Sequence, residues 1–144
     1  VLQKCGALGL VVLMDAFKPW DPGQMGKLVL LSLKHPKTRF VLAHMGFSQF
    51  REAAVFADVR KVGMGSNNVW FDLSVIATAY AGSPIAPELV WTMRRIGIDR
   101  MQFGSDWPVD SPAAAVAAIR RLGLDEQEQR KVFHDNAAAL LGLD

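Results

Sequence analysis

The sequence predicts a parallel α/β fold built from four consecutive β-α units, on three observations. Short continuous apolar runs, centred on Val11, Phe40, Val69 and Met101, recur at a near-constant interval, and a helical pattern separates each from the next. Continuous rather than alternating apolarity marks strands buried on both faces, as in parallel sheets. Each run ends in a polar residue, so one end of the sheet gathers Asp15, His44, Ser74 and Asp106. Regular β-α alternation implies right-handed crossovers and leaves two architectures, a doubly wound sheet or part of a (β/α)8 barrel. A whole barrel needs about 250 residues, so four units make half of one.

Taken in order, residues 1–8 read as the tail of a helix closed by Gly9. Strand one, near 10–15, leads into a loop carrying Lys18, Pro19 and Trp20. Asp21-Pro22 has the N-cap-plus-proline signature of a helix start, and Pro36 stops that helix after His35. Strand two, near 39–44, ends in His44-Met45-Gly46, and Ser48 is placed to cap a helix through Lys61. A loop over residues 63–68 precedes strand three, near 69–74. An Ala/Gly/Ser/Pro-rich loop over residues 77–86 then precedes a helix from Pro87 to Ile96, with Gly97 at its C-cap. Strand four, near 101–106, breaks at Gly104-Ser105-Asp106-Trp107-Pro108, because proline cannot extend a central strand. Ser111-Pro112 starts another helix, Asp125 with Glu128 forms a capping-box pair for the next, and Asn136 is placed to cap a last short helix ending at Gly142.

Composition narrows the function classes. With 144 residues and 51% hydrophobic residues, the chain is long and apolar enough for one domain spanning 1–144 with a sizeable core. Its net charge of +2 comes from dispersed basic residues, which predicts neither a nucleic-acid nor a membrane surface. Cys5 is the single cysteine, which excludes an intrachain disulfide framework and fits a reducing compartment, the cytoplasm. No signal peptide is visible, and the longest apolar stretch is too short to span a bilayer. The sequence opens with Val1 rather than Met, which suggests a segment of a longer protein.

The strand ends carry the chemistry. Imidazole and carboxylate together suit zinc, manganese or iron, with water completing the shell. His44, between a buried strand and a glycine turn, is the leading candidate. Asp106 reads equally as a metal ligand or proton acceptor and as a turn or helix cap. Asp15 reads equally as a ligand and as a turn residue pairing with Lys18. Asp72 lies inside an apolar strand and needs a buried partner, for which a backbone group or an arginine suffices. Trp20, Phe47 and Trp107 follow strand ends and are candidates to wall a substrate pocket. Dinucleotide, P-loop and nucleophile-elbow motifs are all missing from the sequence.

Three pieces in this order, Phe40-Val41-Leu42-Ala43-His44-Met45-Gly46, Gly104-Ser105-Asp106-Trp107-Pro108 and Asp135-Asn136-Ala137-Ala138-Ala139-Leu140-Leu141-Gly142-Leu143, resemble the amidohydrolase-related family of metal-dependent (β/α)8 barrels. The resemblance maps onto the C-terminal half of that barrel, strands five to eight. It implies that His44 is the strand-six histidine, binding metal or polarising substrate, and that Asp106 is the strand-eight aspartate, a metal ligand or general acid/base. It implies a divalent metal, usually zinc and in some members manganese. Two activities follow from it. The first is hydrolysis of an ester, lactone or amide carbonyl by metal-activated water, and the second is non-oxidative decarboxylation on the same scaffold. The family's first-strand His-x-His pair has no counterpart here, and Asp15 stands where strand five usually carries histidine. The chain alone is therefore expected to lack a complete metal site, with an inert half-barrel as the non-enzymatic reading. The expected partners are a small-molecule substrate and a further copy of the chain.

Overall fold

The computed structural model describes residues 1–65 and 67–143. A short helix α1 (Leu2–Ala7) precedes four strands, β1 (Val11–Asp15), β2 (Arg39–Ala43), β3 (Val69–Asp72) and β4 (Met101–Gln102). They form one parallel sheet in the order β1-β2-β3-β4. A doubly wound sheet reverses its strand order at a switch point. This sheet adds each strand beside the last, as a (β/α)8 barrel does, so the molecule is a partial barrel.

The register divides the strand residues between two faces. Val12 lies opposite Phe40, Phe40 opposite Val69, and Phe71 opposite Met101. These side chains meet the helices α2 (Gln24–Lys34), α3 (Val55–Lys61) and α5 (Ala86–Ile96) through Met25, Leu28, Phe56, Leu89, Met93 and Ile96, all buried. The alternate residues, Leu13, Val41 and Trp70, are also in register and face the other way. Burial on both faces holds for β2 and for the two residues of β4. On β1 the inward face is open, and Leu13 is 66% exposed.

Several sequence expectations shift when side chains find their partners. Helix α2 starts at Gln24, because Asp21 accepts the Gly23 N–H at 3.1 Å and pairs with Lys27 at 2.7 Å, closing a turn first. Ser48 does not cap a helix. Residues 44–49 form a kinked 3₁₀ segment, a second turn covers Glu52–Ala54, and α3 begins only at Val55. The loop expected over 77–86 contains a short helix, α4 (Ile76–Tyr80). Helix α6 (Pro112–Arg121) has the expected serine cap, Ser111 Oγ accepting the Ala114 N–H at 3.1 Å, and α7 (Glu126–Arg130) has the expected capping box.

Strand β4 is shorter than expected because Phe103 N–H leaves the sheet to donate to the Val132 carbonyl at 2.9 Å. Val132 lies in a π-helical turn, Lys131–Asp135, whose wider winding frees carbonyl oxygens from the helix ladder. Asn136 is not a cap. It opens α8 (Asn136–Leu141) in unbroken helical geometry, and its buried side chain reaches back to the base of β4.

A candidate active-site rim at the strand ends

Backbone strain picks out the site. Outside glycine, positive φ angles among the described residues occur at His44 (59°), Met45 (49°), Phe47 (48°), Val75 (59°) and Asp106 (59°). A β-branched residue such as Val75 is a true outlier there. Four of these five, His44, Phe47, Val75 and Asp106, line one cavity of about 180 Å³ together with Phe17 and Val109. Residues held in such conformations cluster at functional sites.

A second cavity of about 360 Å³ adjoins the first along His44 and Asp106, and Leu13, Asp15, Ala43, Asp72, Ser74 and Gly104 complete its lining. The structure thus brings Asp15, His44 and Asp106 to one rim. Among the expected wall residues it brings Phe47. Trp20 and Trp107 stand on the surface, 79% and 70% exposed, and line neither cavity. Phe17 takes the wall position instead, packing edge-on against Phe47 at 4.7 Å, and Phe47 stacks on Tyr80 at 5.8 Å. Sequence gave little reason to prefer Phe17 over Trp20, which lies in the same loop. The difference arises because Gln24 and Gln49 hold that loop by its backbone, through Lys18 N–H to Gln24 Oε1 at 2.9 Å and Gln49 Nε2 to Asp21 O at 3.0 Å.

The carboxylates do different work. Asp15 is exposed, and its Oδ1 accepts the Phe17 N–H at 2.8 Å in an Asx turn, so one oxygen is committed to the loop. Asp72 Oδ1 accepts the N–H of His44 at 3.1 Å and of Ser74 at 2.9 Å, and also receives the Ser74 hydroxyl. Ser74 Oγ in turn lies 2.9 Å from His44 Nδ1. Asp72 therefore has the buried partner it requires, and that partner belongs to the rim itself. The signal in the sequence was its place two residues before Ser74 at a strand end.

Imidazole and carboxylate are the right donor chemistry for a zinc- or manganese-type cation. The number falls short. Among the described residues no three His, Cys, Asp or Glu side chains gather closely enough to hold a metal ion. His44 and Asp106 fit as part of a shell that the described residues do not complete.

The decisive comparison is a family model described as amidohydrolase, which matches residues 1–143. The chain belongs to the amidohydrolase family. Solved structures share the fold of this chain at low identity. An uncharacterised TIM-barrel protein from Bordetella bronchiseptica superposes with a TM-score of 0.76 at 18% identity, covering 98% of this chain and 48% of that one. A zinc-bound amidohydrolase from Burkholderia multivorans gives 0.71 at 21% identity, covering 99% and 56%. A dihydroxybenzoic acid decarboxylase from Polaromonas, with manganese and the inhibitor 2-nitroresorcinol, gives 0.65 at 16% identity, covering 97% and 52%. The chain spans about half the length of these barrels. No protein of curated function matches it in sequence.

Proposed function

We propose that the chain is a single unit, the C-terminal half of an amidohydrolase-family barrel, strands five to eight. On this reading His44 and Asp106 serve the metal-dependent hydrolysis of a small ester, lactone or amide. The observation that carries this reading is the convergence of the strained residues His44, Val75 and Asp106, each just past a different strand end, on one cavity. That is the end of a barrel where catalysis is built.

In this reading His44 and Asp106 hold a divalent cation together with donors from the other half of the barrel, and Asp15 contributes its uncommitted oxygen. Zinc and manganese are the candidates, being the metals of the Burkholderia and Polaromonas relatives. Such an ion supplies Lewis acidity, polarising a carbonyl and acidifying water. Asp106 orients the attacking water and accepts its proton. His44 faces the oxygen on which charge develops. Phe17, Phe47 and Val109 exclude bulk water from the carbonyl.

The same aromatic wall supports a second reading, decarboxylation of an aromatic acid, as in the Polaromonas relative. Phe17 and Phe47 present ring faces and edges suited to a planar substrate, and Asp106 would then deliver the proton that replaces the carboxylate. Product analysis on the full-length enzyme with a lactone panel and a panel of hydroxybenzoates separates the two. Lactone opening supports the first reading, and carbon dioxide release from a hydroxybenzoate replaces it with the second. Among the described residues no helix is long and apolar enough to cross a membrane, and Cys5 is a free thiol. With that thiol we place the enzyme in the cytoplasm.

A further inference from the structure

We propose that Ser74, oriented by Asp72, is a positioning residue that holds His44 in its Nδ1–H tautomer and leaves Nε2 as the ring atom available at the rim. Asp72 Oδ1 receives two backbone N–H groups, from His44 at 3.1 Å and Ser74 at 2.9 Å, and so acts as an acceptor. The Ser74 hydroxyl packs against the same oxygen, so its hydrogen lies between the two. What Ser74 Oγ then presents to His44 Nδ1, 2.9 Å away, is a lone pair. The Ser74 carbonyl, 3.3 Å from the same nitrogen, is also an acceptor. Nδ1 faces two acceptors and no donor, so it carries the hydrogen, and in a neutral ring Nε2 is bare.

The fold goes to some length to present Ser74 this way. Val75 sits at φ 59°, ψ −46°, and Ile76 N–H closes back onto the Ser74 carbonyl at 2.5 Å. This is the γ-turn of the rare, strained hand. It turns the chain out of β3 so that both the side chain and the carbonyl of Ser74 point at one imidazole nitrogen. A ligating or proton-accepting histidine needs this kind of outer partner to set its tautomer.

The inference rests on the reading of His44 as a rim residue for its consequence. The tautomer itself is measured without substrate or metal, so the two fail separately. The experiment is magic-angle-spinning NMR of the 144-residue chain labelled with ¹⁵N-histidine at a pH where the ring is neutral, which reads associated and monomeric chains alike. His44→Gln assigns the His44 signals against those of His35 and His134. We expect a single Nδ1–H pattern at His44, conversion to a mixture containing the Nε2–H form in Ser74→Ala, and retention of Nδ1–H in Ser74→Thr. A wild-type His44 in the Nε2–H form, or an unchanged pattern in Ser74→Ala, overturns the proposal. Should Ser74→Ala lose the fingerprint of the folded chain, an unchanged pattern in Asp72→Asn overturns it in the same way.

Discussion

Asn136 Nδ2 donates to the Met101 carbonyl at 2.6 Å and, at the same distance, to the carbonyl of Ile98. One amide thus ties the last helix to the base of β4, the strand that delivers Asp106 to the rim. Asn136 is buried, so Asn136→Ala takes its donor from the Met101 carbonyl, while the Ile98 carbonyl keeps the Met101 N–H. Unsatisfied buried groups of this kind cost about 1–3 kcal/mol. We expect Asn136→Ala to lose about 2 kcal/mol in urea denaturation. Asn136→Asp, which keeps the size but loses the amide donor, should be no better.

Asp106→Asn tests the site without testing the fold. Asparagine tolerates the left-handed region as readily as aspartate, so φ 59° at this position survives the change. The full-length enzyme should keep its melting temperature and lose about 100-fold or more in kcat, the range of a lost acid/base group. An enzyme that unfolds, or that retains full turnover, would count against Asp106 as a catalytic residue.

Gly104 lies between β4 and the Asp72–Ser74 pair. A Cβ there would come within 3.2 Å of Ser74 Cβ and 3.4 Å of Asp72 Cγ. Gly104→Ala should therefore push the pair away from His44. Overpacking costs about 1–3 kcal/mol. The expected result is a modest fall in stability with a loosened His44 tautomer, read by thermal denaturation and ¹⁵N spectra together.

The C-terminal helices should show acid sensitivity through one ion pair. Arg94 grips Glu128 with both arms of its guanidinium at 2.8 Å. That contact, with the Asp125 N–H adding to it, holds the Glu128 carboxyl below its ordinary value of 4.5. A carboxyl depressed in the folded state stabilises the fold at pH values above its unfolded pKa and loses that stabilisation as pH falls through the folded one. Arg94 is half exposed, so the effect is that of a screened pair, about 0.5 kcal/mol. Urea titrations of wild type and Glu128→Gln should differ by that amount at pH 7 and converge once the pH has fallen below the folded-state value of Glu128.

The fold was legible in the sequence because apolar runs and cap residues are local signals. The four strands, the Ser111 cap and the Asp125–Glu128 box required only neighbours in sequence. What was not legible depended on partners far along the chain. Asn136 reads as a cap until Met101, 35 residues away, claims its side chain. Ser48 reads as a cap until His44, Met45 and Phe47 turn left-handed and postpone the helix. His44 and Asp106 were visible as polar ends of apolar strands. The link from Asp72 through Ser74 to His44 crosses from β3 to the end of β2, and no spacing rule reports that. Trp20 and Phe17 share a loop, and only the glutamine contacts that hold the loop decide which of them faces the cavity.

Strand β1 pairs only with β2, and β4 only with β3, so among the described residues each leaves one edge without a neighbouring strand. In a closed barrel such edges do not exist. On β1 the open side carries Leu13, two-thirds exposed, with Leu10 half exposed just before it. On β4, Gln102 Nε2 is buried with no hydrogen-bond partner. Neither strand carries the proline or inward lysine with which natural edges block association. The 144-residue chain on its own should therefore sediment as dimers or larger species. It should bind zinc weakly, since no three donors gather among its described residues. Leu13→Lys places a charge on the inward face of the β1 edge and should shift the chain toward monomer while leaving the helix-facing core intact. Sedimentation velocity with and without zinc reads both halves of the claim. A wild-type chain that stays monomeric and carries stoichiometric, tightly held zinc would show that the barrel half is complete without its other half.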